Sequence, residues 1–222
     1  MPTISVENYL KALFHLQPPE HTGRVGTSEL AEHLQIALPS VTNMLKSLSE
    51  SGFVDYVPYR GARLTAEGQE QALKVIRNHR LIEAFLVRTL GYSWDEVHDE
   101  AEQLEHAISD RLAERIDAYL GHPEVDPHGD PIPRHGGVKL HAGVNLLEGP
   151  PAPAQVVIQQ VINQDPDVLR YLTGAGLIPG AVMEIRERLP FDGPLRVRVS
   201  ERPDELILGR TLARGLLVGV VE

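Results

Sequence analysis

Residues 27–63, TSELAEHLQIALPSVTNMLKSLSESGFVDYVPYRGAR, decide the fold. Thr27-Ser28-Glu29 has the composition of a helix start, and Leu30, Ala31 and Leu34 give the short apolar face of a helix over about residues 27–35. After IALPS, Pro39 suits the first turn of a second helix, in which Val41, Leu45 and Leu48 recur at i, i+4 and i+7 until Ser51-Gly52 stops it. Phe53 to Tyr59 is β-branched and aromatic, and Arg60-Gly61-Ala62-Arg63 forms a basic turn before Leu64, which together predict a hairpin. Helix, tight turn, helix and basic hairpin make a winged helix-turn-helix, whose second helix enters the major groove of DNA. With Val41, Leu45 and Leu48 turned inward, that helix presents Pro39, Ser40, Thr42, Asn43, Lys46 and Ser47. Asn43 can pair with adenine, Ser40 and Thr42 can reach phosphate or base edges, and Lys46, Arg60 and Arg63 can neutralise phosphates.

Working outward, Val6, Tyr9, Leu10, Leu13, Phe14 and Leu16 predict an earlier helix that Pro18-Pro19 ends. Downstream, residues 65–90 hold no proline and repeat apolar side chains at helical spacing, so one long helix is expected to end near Gly91. Ser93 is the expected N-cap of the next, WDEVHDEAEQLEHAI, and a further helix covers residues 109–120. HPEVDPHGDPIPRHGG, residues 122–137, and GPPAP at 149–153 are loop and linker. The remainder alternates as strands at 183–186, 195–199 and 205–208. The expected fold is mainly α, a winged helix-turn-helix plus a helical dimerisation and metal-binding domain, followed by a small all-β SH3-like domain. The expected partition is 1–65, 66–141, a linker over 142–155, and 156–222.

The chain has 222 residues, more than one domain usually holds. No apolar run approaches the ~18 residues of a membrane span. The opening MPTISVENYL has neither the basic start nor the apolar stretch of a secretion signal, and there is no cysteine, so a cytoplasmic protein with no membrane partner is expected. A formal charge of −10 is unusual for a binder of phosphates, but it is unevenly spread. Residues 1–80 carry 8 basic and 8 acidic side chains, residues 81–145 carry 5 and 13, and residues 146–222 carry 8 and 10. The acidic middle also holds six of the ten histidines, namely His98, His106, His122, His128, His135 and His141. That composition suits cation binding.

Within it, His98, Glu102, Glu105 and His106 project from one side of a helix, and His79 with Glu83 makes an i, i+4 pair on the helix before. Imidazole and carboxylate without thiolate suit hard-to-borderline ions such as manganese(II) or iron(II), and zinc, cobalt and nickel also accept such sites. A metalloenzyme would need an open position and a defined base, as in H-E-x-x-H, and that motif is absent, so no enzyme is expected.

The stretches SVENYLKALFHL, LPSVTNMLKSLSESGFV, RLTAEGQ, NHRLIEAFL, VHDEAEQLEH and HPEVDPHGDPIP together resemble the diphtheria toxin repressor family of iron- and manganese-dependent regulators, in its manganese transport regulator form. LTGAGLIPGAVMEI with the late ARGLLV is similar to the SH3-like domain of iron-type members, itself related to ferrous transport accessory modules. The resemblance implies a homodimeric repressor of metal homeostasis genes that binds double-stranded DNA at a palindromic operator, with Mn2+ its first cofactor and Fe2+ its second. It also implies two metal sites, one of His79, Glu83 and His98, the other of Glu102, Glu105, His106 and the side chain at position 8. That position is Asn8 here, where the family has a carboxylate or thioether, and position 11 is lysine where manganese-type members often have glutamate. Gln160 and Asn163 occupy the stretch from which iron-type members lend ancillary ligands. Two other readings fit the residues: a DNA-binding regulator with a non-metal effector, and a metal-handling protein whose β domain is the working module.

Overall fold

The structure, a computed structural model, describes residues 2–17, 23–134, 137, 143–200 and 202–221. Pro18-Pro19, His135 and His141 lie outside the described residues. The chain divides into two units: residues 1–79, 103–108 and 133–137 form the first, and residues 80–102, 109–132 and 138–222 the second.

The first unit opens with α1, Ile4–Leu16, whose N-cap Thr3 accepts a hydrogen bond from the Val6 N–H at 3.4 Å. Helices α2, Thr27–Leu34, and α3, Leu38–Glu50, follow, and then strands β1, Val54–Val57, and β2, Gly61–Leu64, pair antiparallel with Val54 opposite Leu64. Leu10, Leu13, Leu30, Val41, Leu45, Leu48, Val54 and Ala62 close one core, so the stripe read on α3 does face inward. Gly61 is required by its surroundings: φ is +92°, and a Cβ there would stand 2.1 Å from the Val25 carbonyl oxygen. That close approach lets Val25 and Ala62 exchange backbone hydrogen bonds of 2.8 and 3.0 Å, which fasten the hairpin to the segment before α2.

Helix α4, Ala66–Phe85, continues as a π-helical turn over Leu86–Leu90 and stops at Gly91, which takes a left-handed φ of 74°. The helix expected from Ser93 starts later, as α5, Val97–Leu104. Ser93 Oγ bonds the Glu96 carboxylate at 2.7 Å, and Trp94 packs into the core of the second unit, which keeps residues 93–96 out of the helix. Helix α6, Asp110–Tyr119, is capped by Ser109, whose side chain accepts from the Leu112 N–H at 3.3 Å.

The rest of the second unit is a six-stranded antiparallel sheet in the order β3-β8-β4-β5-β6-β7, formed by β3 (Val144–Asn145), β4 (Ala154–Val161), β5 (Val182–Arg188), β6 (Leu195–Val199), β7 (Glu205–Leu208) and β8 (Leu216–Val220). Two helices accompany it, α7 (Pro166–Ala175) and the short α8 (Arg210–Arg214). Val156, Ile158, Val161, Leu169, Leu172, Met183, Ile185, Val197 and Val218 fill its core, as the alternation in the sequence requires. β3 and the fully buried Leu146 fall inside the stretch 142–155. The Arg188 guanidinium donates to the carbonyls of Leu146, Leu147, Gly149 and Pro150, and so fixes residues 146–150 against the sheet. Among the described residues no helix is long and apolar enough to cross a membrane.

Candidate metal centre and nucleic-acid interface

Helix α3 buries Val41, Leu45 and Leu48 and leaves Pro39, Ser40, Asn43, Lys46 and Ser47 exposed. Thr42 is half-buried, and its hydroxyl donates to the Leu38 carbonyl at 3.0 Å. Arg60 is exposed in the turn between β1 and β2, beside a fully exposed Tyr59 at φ 64° that the sequence reading passed over. Arg63 is tied down: its Nε lies 3.0 Å from Asp55 Oδ2, which also accepts from Arg24 at 2.6 Å. The Arg24 hydrogen bond first, then the Arg24 charge and Arg63, hold the Asp55 carboxyl below the usual carboxylate range against the opposing effect of desolvation. Part of the positive charge expected for phosphates is thus spent inside the wing.

In the second unit, Glu83 is buried on α4, and His98, at the start of α5, places Nδ1 3.6 Å from Glu83 Oε1 and Nε2 3.8 Å from Glu102 Oε1. Half of the His98 side chain remains exposed. On the other side of Glu83 stands His128, a residue not singled out as a ligand in the sequence. Its side chain is 0% exposed, its ring stacks on Trp94, and its Nε2 lies 2.8 Å from the Trp94 carbonyl oxygen. A carbonyl only accepts, so Nε2 carries the hydrogen and the neutral ring keeps its lone pair on Nδ1. Nδ1 is buried without a hydrogen-bond partner, 3.6 Å from Glu83 Oε2 and 4.0 Å from Asp126 Oδ1.

Glu83, Asp126 and His128 are all buried and bring three ligand atoms within 4.8 Å of one another. Burial, then the neighbouring carboxylates of Asp130 and Glu83, push Asp126 well above its ordinary pKa. Burial works to lower His128, but the Glu83 carboxylate close to Nδ1, with the charge of Asp126 adding to it, raises it. Two carboxylates and a lone pair converging in a dry place repel one another unless a cation or a proton lies between them. The donor set fits a divalent ion, and the Nε2 contact with a backbone carbonyl is the usual second partner of a ligating histidine.

The loop carrying these residues is held rigidly. Asp126 Oδ1 accepts from the backbone N–H groups of His128 and Asp130 at 2.8 and 2.9 Å, and the His128 carbonyl accepts from Val161 N at 2.8 Å. Gly129, at φ +88°, passes so close to β4 that a Cβ would meet the Gln159 carbonyl oxygen at 2.0 Å, beside the bulge between Ile158 and Gln160. Gln160 and Gln164 donate to the Asp130 carboxylate at 2.9 and 2.7 Å, while Asn163 is exposed and its Oδ1 accepts from Asp165 N at 3.0 Å. The signal for this site was in the sequence: DPHGD sets an aspartate and a histidine two apart around a glycine-dependent turn.

The first unit holds a separate polar cluster. Glu105 is fully buried, its Oε2 lies 2.6 Å from His79 Nδ1 and 2.8 Å from Lys11 Nζ, and its Oε1 lies 3.2 Å from His106 Nε2. His106 Nδ1 meets Glu7 Oε2 at 2.5 Å, and Asn78 donates to the Glu105 carbonyl at 3.1 Å. It is Glu7, one residue before the position the resemblance singles out, that reaches His106. Asn8 Oδ1 is buried and makes no hydrogen bond. Lys11 thus places an ammonium against the buried Glu105 carboxylate.

A winged helix together with a buried imidazole and carboxylate cluster defines a metal-responsive DNA-binding regulator. Comparison with known proteins agrees. Models of the iron dependent repressor match residues 1–62 for its N-terminal DNA binding domain and residues 65–134 for its metal binding and dimerisation domain, and a FeoA domain matches residues 146–220. The iron-dependent repressor IdeR of Mycobacterium leprae (strain TN) is 31% identical over 191 residues, which is 80% of this chain and 81% of its own. Among solved structures, a manganese-dependent transcriptional repressor in complex with manganese is 36% identical, covers 97% of this chain and 100% of its own, and has a TM-score of 0.85. ScaR with bound Cd2+ is 31% identical, with 99% and 100% covered and a TM-score of 0.77. The chain belongs to the iron-dependent repressor family. It is a metal-dependent, DNA-binding transcriptional repressor of metal homeostasis with a dimerisation domain, and not an enzyme.

Proposed function

We propose that this repressor takes Mn2+ as its activating ion, with Fe2+ second and other divalent ions binding in vitro, and that it acts in the cytoplasm. Ligands come from His79, Glu83 and His98 together with His128 and Asp126, and Glu102 flanks His98. His79 and Glu83 stand one turn apart on α4, which puts them on one side of that helix. Glu105 and His106 belong to the second polar pocket, the Asn8 side chain makes no contact with them that would add a ligand, and Gln160 and Asn163 have at most an ancillary part, since the amide of each is engaged elsewhere. The observation that carries the reading is the His128 Nδ1 lone pair, buried without a partner between two carboxylates. A bound divalent ion supplies the positive charge that lets Glu83 and Asp126 stay ionised side by side. Residues 1–65 bind DNA, residues 66–141 hold metal and dimerise, residues 142–155 link, and residues 156–222 form the β domain.

Two copies related by a two-fold axis place their α3 helices in successive major grooves of a palindromic operator. Asn43 reads bases, and Lys46 and Arg60 neutralise phosphate. The ion controls DNA binding only to the extent that it binds the DNA-competent state more tightly than the other. Fluorescence anisotropy of a labelled duplex from the chain's own upstream region, titrated under Mn2+, under Fe2+ without oxygen, and under chelator, tests this. Tight sequence-specific binding that needs Mn2+ or Fe2+ is expected, and E83Q or H98A is expected to lose the metal response while still folding. Binding indifferent to chelator would remove the assignment.

A further inference from the structure

A fully buried carboxylate needs a positive partner, and for Glu105 the partner comes from α1. Lys11 Nζ sits 3.0 and 2.8 Å from the two Glu105 oxygens and 3.4 Å from His79 Nδ1, with only 14% of its side chain exposed. The ammonium donates to both Glu105 oxygens, and His79 Nδ1, 2.6 Å from Oε2, donates to the same carboxylate, since a carboxylate oxygen only accepts. One turn earlier on α1, Glu7 bonds His106 at 2.5 Å. α1 is therefore fastened to residues 105–106 by the Lys11–Glu105 ion pair and the His106–Glu7 hydrogen bond.

We propose that the Lys11 ammonium is a resident cation that takes the place of a second metal ion in the Glu105 pocket, so that the chain binds one activating ion where a two-ion cluster would otherwise form. The proposal rests on the reading above that the activating ion binds at Glu83 and its neighbours. It gives α1 a metal-independent anchor and leaves the Glu83 cluster as the part that answers to metal. A lysine ammonium is a covalently held point charge that no chelator removes, so this half of the switch stays closed at any metal concentration.

Equilibrium dialysis of the full-length chain against Mn2+, with metal analysis and electron paramagnetic resonance, tests it on wild type, K11E, E83Q and K11E/E83Q. The wild type should hold one Mn2+ per chain with an uncoupled spectrum and lose it in E83Q. K11E should hold one ion more per chain, and K11E/E83Q should keep that additional ion alone. Two ions per chain in the wild type would overturn the proposal, whatever the variants do. So would a K11E chain with wild-type circular dichroism that binds no more than wild type. If K11E does not fold, K11Q replaces it, with the same gain expected in the presence of Mn2+ and its absence again counting against the proposal. A wild type that binds no Mn2+ while K11E binds one would sink the Glu83 site and support the resident cation. No binding by either would sink both.

Discussion

At the scale of single residues, the chemistry turns on which atoms are left facing charge. His128 shows this: one ring nitrogen is committed to the Trp94 carbonyl, so the other can only present a lone pair to Glu83 and Asp126. H128A is therefore expected to lower Mn2+ affinity by about 10-fold or more, the scale seen when ligands and their immediate supports are removed. Isothermal titration of folded H128A would show it, and an unchanged dissociation constant would take His128 out of the site. Asp55 gives a pH prediction. Its folded pKa is depressed by Arg24 and Arg63, so its contribution to wing stability is fully present above the ordinary carboxylate pKa and is lost as pH falls through the depressed value. The difference in urea midpoint between wild type and D55N should hold steady from neutral pH to about pH 5 and then shrink in more acidic solution. A difference that grows with acid would mean the pair does not act this way.

At the scale of elements, α3 has two faces with separate duties. On the inner face, Leu45 is fully buried among Leu10, Leu30 and Val41, and L45A should cost about 2–5 kcal/mol in a denaturant titration. The outer face is small and polar, and its loss should leave stability nearly untouched. K46A is expected to weaken binding to every sequence alike and to reduce the slope of log affinity against log salt by about 1, whereas N43A should cost roughly 1–3 kcal/mol at one base position only. A uniform loss from N43A would make it a backbone contact. α1, α2, α3 and the hairpin were all legible because each buries one stripe and exposes the other. α5 was legible as a helix but not at its start. Ser93 has the composition of a cap, yet Trp94 is drawn into a core whose other members lie more than fifty residues away, and no local pattern carries that information.

For the whole molecule, a ligand that binds only the folded state stabilises it by mass action. Mn2+ at about a hundred times its dissociation constant should raise unfolding free energy by about 2.7 kcal/mol, read as a shift in urea midpoint that chelator reverses. E83Q should show no such shift. A shift of equal size in E83Q would place the ion elsewhere. The −10 charge is unevenly spread along the chain: residues 1–80 balance 8 basic against 8 acidic side chains, and most of the deficit falls on residues 81–145, with 5 and 13.

By itself the sequence determined the winged helix, the long α4, the alternating strands of the β domain and the candidate ligands His79, Glu83, His98, Glu102, Glu105 and His106. Those rest on periodicity and on i, i+3 and i+4 spacing, which are local properties of the chain. Only the tertiary structure decided that DPHGD folds back so that Asp126 and His128 close on Glu83, that Glu7 instead of Asn8 reaches His106, and that Lys11 lies against Glu105 across 94 positions of sequence. Such pairings are set by the burial of neighbouring side chains and by the need of a buried charge for a partner. Neither leaves a regular period in the chain.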